Sequence, residues 1–369
     1  MSTNRRFWLK QLGLGIAGLG LSSFKTFGSV AMPEVMEDAL EDNPLILLRS
    51  NENPYGPSPL SLKAFSDNLK ISNRYNWEVS PQLISAISKK NNVNDENILL
   101  GAGSTEILDL VARYVGLEKG EYVIADPSFD YWTVVLDNLG LTKIKVPLSA
   151  DKKIDLNAMQ NKISPATKLV YICNPNNPTG TVCERDLLLK FIAEVPSEAL
   201  ILVDEAYLEF TQQQSVIPLI NEHPNLVVAK TFSKIYGLAG ARIGYAVAHQ
   251  TMIKKLGNLQ SSATISVGIL SKLAAMAALK DDKFVSECYA LNENAKKYTA
   301  DELKKLNLDY IPSSTNFIYF SLANFKQDYF QKLTDNNIQG TRIYEEQGKW
   351  TRITVGTMKE MKRFIQAIQ

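Results

Sequence analysis

The amino-acid sequence predicts a doubly wound α/β fold with a mostly parallel sheet, followed by a second, smaller α+β domain. Its length of 369 residues exceeds the roughly 250 to 300 residues that one hydrophobic core usually serves. Short apolar runs alternate with amphipathic helical segments between about residues 81 and 267, and a second group of short strands follows. Continuous apolar strands separated by helices are typical of a parallel sheet that is buried on both faces.

The predicted elements follow from these runs in chain order. A short strand is expected at 45–48, ahead of a stretch rich in turn-forming residues at 51–59. The strands predicted for the large sheet are 122–125, 143–146, 169–173, 200–203, 226–229 and 243–248. A long connecting helix is expected at 256–280, because this stretch is apolar and poor in charge. The strands predicted for the small domain lie near 316–321, 340–344 and 351–355, with a closing helix from residue 359.

Charge and composition narrow the classes of function. Lys and Arg together number 40 and Asp and Glu 39, a formal net charge of +1, which argues against nucleic acid as the main partner. Three cysteines and two histidines are too few and too scattered for a disulfide framework or a zinc site, so no metal is predicted. Chemistry on a small molecule is therefore the expectation.

The first 31 residues predict an export signal. Arg5 and Arg6 precede a mildly apolar, glycine-rich run at 12–21, and Ser29-Val30-Ala31 has the small-x-small pattern of a cleavage site. This order resembles a twin-arginine translocation signal, which exports folded proteins to the periplasm. The apolar run is too short for a stable membrane span. If the signal is not cleaved, the protein is cytoplasmic or tethered to the membrane, and that alternative stays open.

Four segments are predicted on this basis. The signal peptide occupies 1–31, and an N-terminal arm with part of the small domain occupies 32–70. The large, ligand-binding domain is expected at 71–255. The connecting helix and the small C-terminal domain are expected at 256–369.

Polar residues cluster immediately after three of the predicted strands. An asparagine loop spans 174–180, Asp204 and Tyr207 follow the next strand, and Lys234 follows the one after, with Arg242 a short loop later. Ligands of open parallel sheets lie outside the carboxyl ends of the strands, so these side chains should meet in one site. A glycine-rich turn at 101–103 that opens a helix predicts an anion site beside them.

Together these residues resemble the fold-type I pyridoxal-phosphate enzymes, most closely the histidinol-phosphate aminotransferase branch of the class I/II aminotransferases. The resemblance extends from Asn51 to about Thr357. It implies pyridoxal 5′-phosphate as cofactor, an amino donor and a 2-oxo acid acceptor as substrates, and a homodimer with shared active sites.

The resemblance also implies a role for individual residues. Lys234 matches the lysine that forms a Schiff base with the cofactor, a reaction favoured by a lowered lysine pKa. Asp204 matches the carboxylate that keeps the cofactor ring nitrogen protonated, and Tyr207 matches a donor to the ring hydroxyl oxygen. The other cofactor contacts that the resemblance implies are Asn177, Ser104, Thr105, Phe129, Thr231, Ser233, Arg242 and, from the neighbouring subunit, Tyr55. The substrate-binding residues that it implies are Arg352, for a carboxylate, with Arg342 and Asn53.

Several readings stay open at the level of sequence. Taken singly, these residues are turn formers, helix caps or surface charges; only their order along the chain favours a site. A decarboxylase acting on an amino acid O-phosphate shares the same anchors. A binding protein that retains the cofactor, or a nicotinamide oxidoreductase, belongs to another class. The step Arg74-Tyr75-Asn76-Trp77 departs from the family pattern, so histidinol phosphate and an aromatic or other amino acid are both open as substrates.

Overall fold

A seven-stranded sheet forms the centre of the structure. The computed structural model describes residues 44–75, 77–261 and 266–369, so the predicted signal at 1–31 and the arm up to residue 43 lie outside the described residues. The strands are β1 Ile46–Leu47, β2 Ile98–Gly101, β3 Glu121–Asp126, β4 Thr142–Pro147, β5 Thr167–Cys173, β6 Leu200–Asp204, β7 Leu226–Thr231, β8 Gly244–Ala248, β9 Tyr310–Ile311, β10 Phe317–Ser321, β11 Ile338–Gln339, β12 Ile343–Glu345 and β13 Trp350–Thr354. The α-helices are α1 Pro59–Asn68, α2 Val79–Asn91, α3 Ser104–Val115, α4 Val134–Asn138, α5 Leu156–Gln160, α6 Arg185–Glu194, α7 Gln250–Gly257, α8 Ile269–Ala278, α9 Asp282–Lys305, α10 Tyr329–Asp335 and α11 Met358–Ile368.

The strand order in this sheet is β2-β8-β7-β6-β5-β3-β4. The pairs among β4, β3, β5, β6 and β7 are parallel, whereas β8 is antiparallel to both of its neighbours, β7 and β2. A parallel pair needs a long crossover, and the twelve or so residues between β7 and β8 hold only a short 3-10 turn at Ala239–Ala241. The prediction of an α/β fold with a mostly parallel sheet is confirmed.

Both faces of this sheet are covered by packed side chains. Successive residues of β3 alternate between the two faces: Val123 belongs to one core and Tyr122 and Ile124 to the other. All seven residues of β5 except Lys168 are buried, and so are all of those in β6 and β7. This burial explains why these strands are continuous apolar runs in the sequence.

The carboxyl-terminal part of the chain builds a smaller antiparallel sheet, ordered β12-β13-β10-β9. Its core joins Phe320 and Ile353 of the sheet to Leu303 of α9 and Phe364 of α11. A two-stranded parallel pair, β1 with β11, brings the start of the described chain against this core. Of the strand predicted at 340–344, only residues 343 and 344 are in a strand, because β11 ends at Gln339 and β12 begins at Ile343.

The prediction of one continuous helix at 256–280 is wrong. Helix α7 ends at Gly257, and the described residues 258–261 and 266–268 are not helical. The side chain of Gln260 is buried here and donates to the Leu100 carbonyl at 3.0 Å, which holds this stretch out of a helix. The longest helix of the described residues is α9, and Asp281 caps its start by accepting from the Phe284 amide at 3.2 Å.

Strand β2 was not predicted, since its four residues stand directly before the glycine-rich turn. The domain boundaries proposed from sequence stay predictions. Within the described residues, no helix has both the length and the apolar character needed to cross a bilayer.

Candidate active site

A cavity of about 530 Å³ opens at the carboxyl ends of β5, β6 and β7. Parallel strands carry their carboxyl ends to one edge of a sheet, and the residues that follow them therefore meet there. The sequence-predicted residues that line the cavity are Ser104, Thr105, Phe129, Asn177, Asp204, Tyr207, Thr231, Ser233, Lys234, Arg242, Arg342 and Arg352. The structure thus brings together side chains from 104 to 352 in the chain.

Lys234 is a half-buried amine in this cavity. Its Nζ donates a hydrogen bond to the Ser50 carbonyl at 3.1 Å and lies 5.5 Å from the centroid of the Tyr207 ring. Burial and then the nearby positive charge of Arg352 lower the pKa of Lys234 to about 8. An amine with this pKa is roughly one-tenth unprotonated at pH 7 and about half unprotonated at pH 8, far more than an ordinary lysine.

Asp204 is a buried carboxylate at the end of β6, only 3% exposed. Its Oδ1 accepts from the Ala206 amide at 3.1 Å and its Oδ2 from the Tyr171 hydroxyl at 3.2 Å. Burial raises its pKa to about 6, although Lys234 acts in the opposite direction. Because the two hydrogen bonds are from neutral donors, this carboxylate favours a cationic group placed beside it in the cavity.

Arg352 and Tyr207, which also line the cavity, form hydrogen bonds with the segment at 49–51. Arg352 donates through Nη1 to Asn177 Oδ1 and through Nη2 to the Arg49 carbonyl, both at 2.5 Å. Its Nε is buried and has no hydrogen-bond partner among the described residues. The Tyr207 hydroxyl accepts from Asn51 Nδ2 at 3.0 Å. Burial raises the pKa of Tyr207, so the phenol stays protonated at physiological pH.

An anion cradle forms where α3 begins. Gly103, at φ +79°, precedes Ser104, so the first amides of a twelve-residue helix are exposed to the cavity. The Arg242 guanidinium lies against Gly103 so closely that a Cβ at this glycine would overlap it. Thr231 completes the cradle, donating through Oγ1 to the Ser233 hydroxyl at 2.9 Å. Backbone amides, hydroxyls and a guanidinium that lie close together are the hydrogen-bond donors that bind a phosphate group.

Aromatic rings line the outer part of the cavity. The guanidinium carbon of Arg342 lies 5.3 Å from the Tyr131 ring centroid and 5.2 Å from that of Tyr344. Phe129 is half-buried, with its ring centroid 6.0 Å from that of Tyr131. The Arg342 side chain is exposed at this outer edge of the cavity, so its positive charge is accessible to a ligand that enters.

Asn53 and Tyr55 do not line this cavity. Asn53 donates through Nδ2 to the Ile235 carbonyl at 2.8 Å and to Cys288 Sγ at 3.3 Å, while its Oδ1 accepts from the Tyr55 amide at 3.0 Å. Its side chain therefore fastens the turn, and its predicted role in binding substrate stays a prediction. The Tyr55 ring is half-buried against the main core, and burial raises its pKa. Its predicted role in a neighbouring subunit stays a prediction.

Sequence reasoning missed Asn51. This residue is 1% exposed, lines the cavity and contacts Tyr207 directly. It has φ +54°, a left-handed conformation that asparagine adopts more readily than most residues. In the sequence it is one of several turn formers at 51–59, and the only signal was an asparagine at the start of that stretch.

Comparison with known proteins places the chain in a family. The model of the family "Aminotransferase class I and II" matches residues 43–368. The chain belongs to this family. The histidinol-phosphate aminotransferase of Moorella thermoacetica is 34% identical over 88% of this chain and 85% of that protein. The histidinol-phosphate aminotransferase of Brevibacillus brevis is 35% identical over 88% of this chain and 90% of that protein.

A solved structure agrees with this assignment. The histidinol-phosphate aminotransferase of Sinorhizobium meliloti, in complex with pyridoxal-5′-phosphate, superposes with a TM-score of 0.81 at 25% identity over 88% of this chain and 90% of that one. This aminotransferase has the fold-type I architecture, depends on pyridoxal phosphate, and acts on small amino and oxo acid substrates.

We expect Gly244→Ala to weaken binding of pyridoxal phosphate. A Cβ at Gly244 would overlap the Ser104 amide nitrogen and displace the start of α3 from the cradle. Losing one hydrogen bond to a charged group, worth about 1.5 to 3 kcal/mol, corresponds to an affinity about 10- to 100-fold weaker. Titration of the cofactor-free protein measures this. Gly257→Ala, which meets only Leu99 at an ordinary contact of 3.8 Å, is the matched control, and equal affinities in the two variants would contradict the cradle.

We expect Asp204→Asn to stabilise the cofactor-free protein while abolishing turnover. The folded-state pKa of about 6 lies above the usual 3.8, so the cost of the buried charge is fully present above about pH 6 and is absent below about pH 4. The variant should gain up to about 3 kcal/mol at pH 7 and nothing at pH 4. Urea unfolding at the two pH values tests this, with the exposed Asp67→Asn as control; a gain that does not depend on pH would count against the argument.

Proposed function

We propose that this aminotransferase forms its Schiff base through Lys234 and exchanges an amino group between an amino donor that carries an anionic group and a 2-oxo acid. The donor is an amino acid or an amino-alcohol phosphate of the histidinol-phosphate type. The observation that carries the proposal is Arg352, a buried guanidinium that lines the same cavity as Lys234 and whose Nε has no hydrogen-bond partner among the described residues. A planar guanidinium binds a carboxylate or a phosphate through two parallel hydrogen bonds. The relatives that are named histidinol-phosphate aminotransferase, at 34% and 35% identity, support this class of donor.

The residues present fit pyridoxal phosphate. The buried Asp204 favours a cationic partner, which a protonated pyridine nitrogen is, and the cradle at Gly103 and Arg242 offers phosphate donors. Asn177 and Tyr207 line the same cavity. When bound, pyridoxal phosphate supplies an aldehyde that bonds to amino groups and a cationic ring that withdraws electrons from the substrate α-carbon.

Individual side chains of the cavity then have different roles in the reaction. Arg352 orients the donor by its anion, which fixes the α-carbon relative to Lys234. Lys234 Nζ, with a pKa of about 8, takes a proton at the α-carbon side and returns it. Arg342, between two tyrosines, offers a second positive charge for the distal end of either substrate. We also propose a homodimer in which Tyr55 reaches the partner's phosphate cradle; this rests on the family resemblance.

The test combines a spectrum with a product assay. The purified protein with pyridoxal phosphate should show an absorption band in the visible or near ultraviolet that shifts on adding a donor, and the donor should yield its oxo compound. Histidinol phosphate, phenylalanine and tyrosine are assayed as donors, each with 2-oxoglutarate. Lys234→Ala should reduce turnover below detection, whereas the exposed Lys283→Ala should leave it unchanged. Full activity of Lys234→Ala would reject the assigned lysine, and release of carbon dioxide would indicate the decarboxylase instead.

We further propose export to the periplasm through the twin-arginine route. Residues 1–31 carry the arginine pair, the apolar run and the cleavage pattern in that order, and they lie outside the described residues. A reporter fused to residues 1–31 should reach the periplasm, and changing Arg5 and Arg6 both to lysine should retain it in the cytoplasm. Lys10→Arg is the control for the number of positive charges. Export of the double variant by the same route would contradict the proposal.

A further inference from the structure

The segment at 49–52 is fixed to the active site by a set of side-chain contacts. Strand β13 holds it twice, because Arg352 donates to the Arg49 carbonyl and Thr354 contacts Asn51. Asn316 of the neighbouring β10 edge donates to the Asn51 carbonyl at 3.0 Å. These contacts leave Asn51 1% exposed, so its side-chain atoms have to find partners within the protein.

The direction of each hydrogen bond around Asn51 follows from one backbone amide. The Asn51 N–H can only donate, and it donates to Thr354 Oγ1 at 2.9 Å. The Thr354 hydroxyl then has its own proton to give, and it lies 3.2 Å from Asn51 Oδ1. With Oδ1 facing Thr354, the amide group Nδ2 faces Tyr207 and donates to its hydroxyl oxygen at 3.0 Å.

The Tyr207 hydroxyl is left with one proton and no acceptor for it among the described residues. A phenol can accept and donate at once, and the accepted bond from Asn51 directs the donated one elsewhere. Tyr207 lines the cavity, so a ligand bound there is the group that can supply the missing acceptor.

We propose that Asn51 is a positioning residue that makes Tyr207 a hydrogen-bond donor toward the bound cofactor. The acceptor in this arrangement is the ring hydroxyl oxygen of pyridoxal phosphate, carried as an anion. Asn51 acts through Tyr207 and not by contact with the cofactor. This inference rests on the proposed function, because it requires pyridoxal phosphate in the cavity.

The decisive variant is Asn51→Asp. Aspartate has the same shape and tolerates the left-handed backbone at φ +54°, but its carboxylate only accepts hydrogen bonds, so it draws the Tyr207 proton away from the cavity. Asn51→Gly, also compatible with that backbone, deletes the side chain. Thr354→Val removes the hydroxyl that orients the amide. Asn92→Asp is the matched control, since Asn92 has φ +53° and lies outside the cavity, at the end of α2.

Two measurements distinguish a positioning role of Asn51 from a purely structural role. In the holoenzyme, the pH midpoint of the cofactor absorption band should move to higher pH in Asn51→Asp, because the anionic ring oxygen loses a donor and gains a negative neighbour. The kcat should fall about 10- to 100-fold, the usual effect of losing a group that orients a functional one, with a smaller change in KM. Asn51→Gly and Thr354→Val should shift the midpoint less, in the same direction, and Asn92→Asp should match the wild type.

A double-mutant test decides whether Asn51 acts through Tyr207. In a Tyr207→Phe background, Asn51→Gly should produce no additional shift, because the hydroxyl that it orients is gone. A full additional shift in that background would overturn the inference, and so would a wild-type midpoint in Asn51→Asp. If the wild-type protein gives no absorption band with pyridoxal phosphate, the proposed function fails as well, and that result is distinguishable because it precedes any comparison of variants.

Discussion

Burial of a carboxylate at the end of the central strand is the constraint on which the active site depends. Asp204 ends β6, the fourth of seven strands, and takes hydrogen bonds only from a phenol and an amide. The next residue, Glu205, faces the other side of the sheet, where Lys230 lies 3.4 Å away and compensates its charge. Two adjacent acids thus have opposite surroundings, because strand residues alternate between faces. Glu205 is paired with a buried lysine, whereas the Asp204 carboxylate forms no ion pair among the described residues.

The small sheet completes the site that the large sheet begins. Arg352 and Thr354 stand two residues apart on β13, so they project from the same face of their strand. That face meets residues 49–51, which in turn contact Lys234 and Tyr207 on the large sheet. Arg352, residues 49–51 and Lys234 are therefore held by one connected set of hydrogen bonds. A displacement of the small sheet has to displace the groups around the lysine as well.

Much of the fold and site could be predicted from sequence because the relevant strands are continuous apolar runs that end in polar residues. That pattern located Asp204 and Lys234 without any knowledge of their neighbours. The helix expected at 256–280 failed because its apolar composition is compatible with helix, whereas the hydrogen bond from Gln260 to a distant carbonyl is invisible in sequence. Asn51 was missed for a similar reason. Its hydrogen bond to Tyr207 and its left-handed backbone angle are properties of the folded chain, which a run of turn formers at 51–59 does not reveal.

The position of residues 49–51 also limits how the chain can be shortened. Strand β1 at Ile46–Leu47 seats this segment against β11, and the active-site contacts begin immediately afterwards, at Arg49 and Ser50. Truncating the chain past Ile46 would remove half of β1 and leave residues 49–51 without the strand that seats them. A shortened form that keeps the cavity contacts therefore has to retain β1, which is the first strand of the described residues.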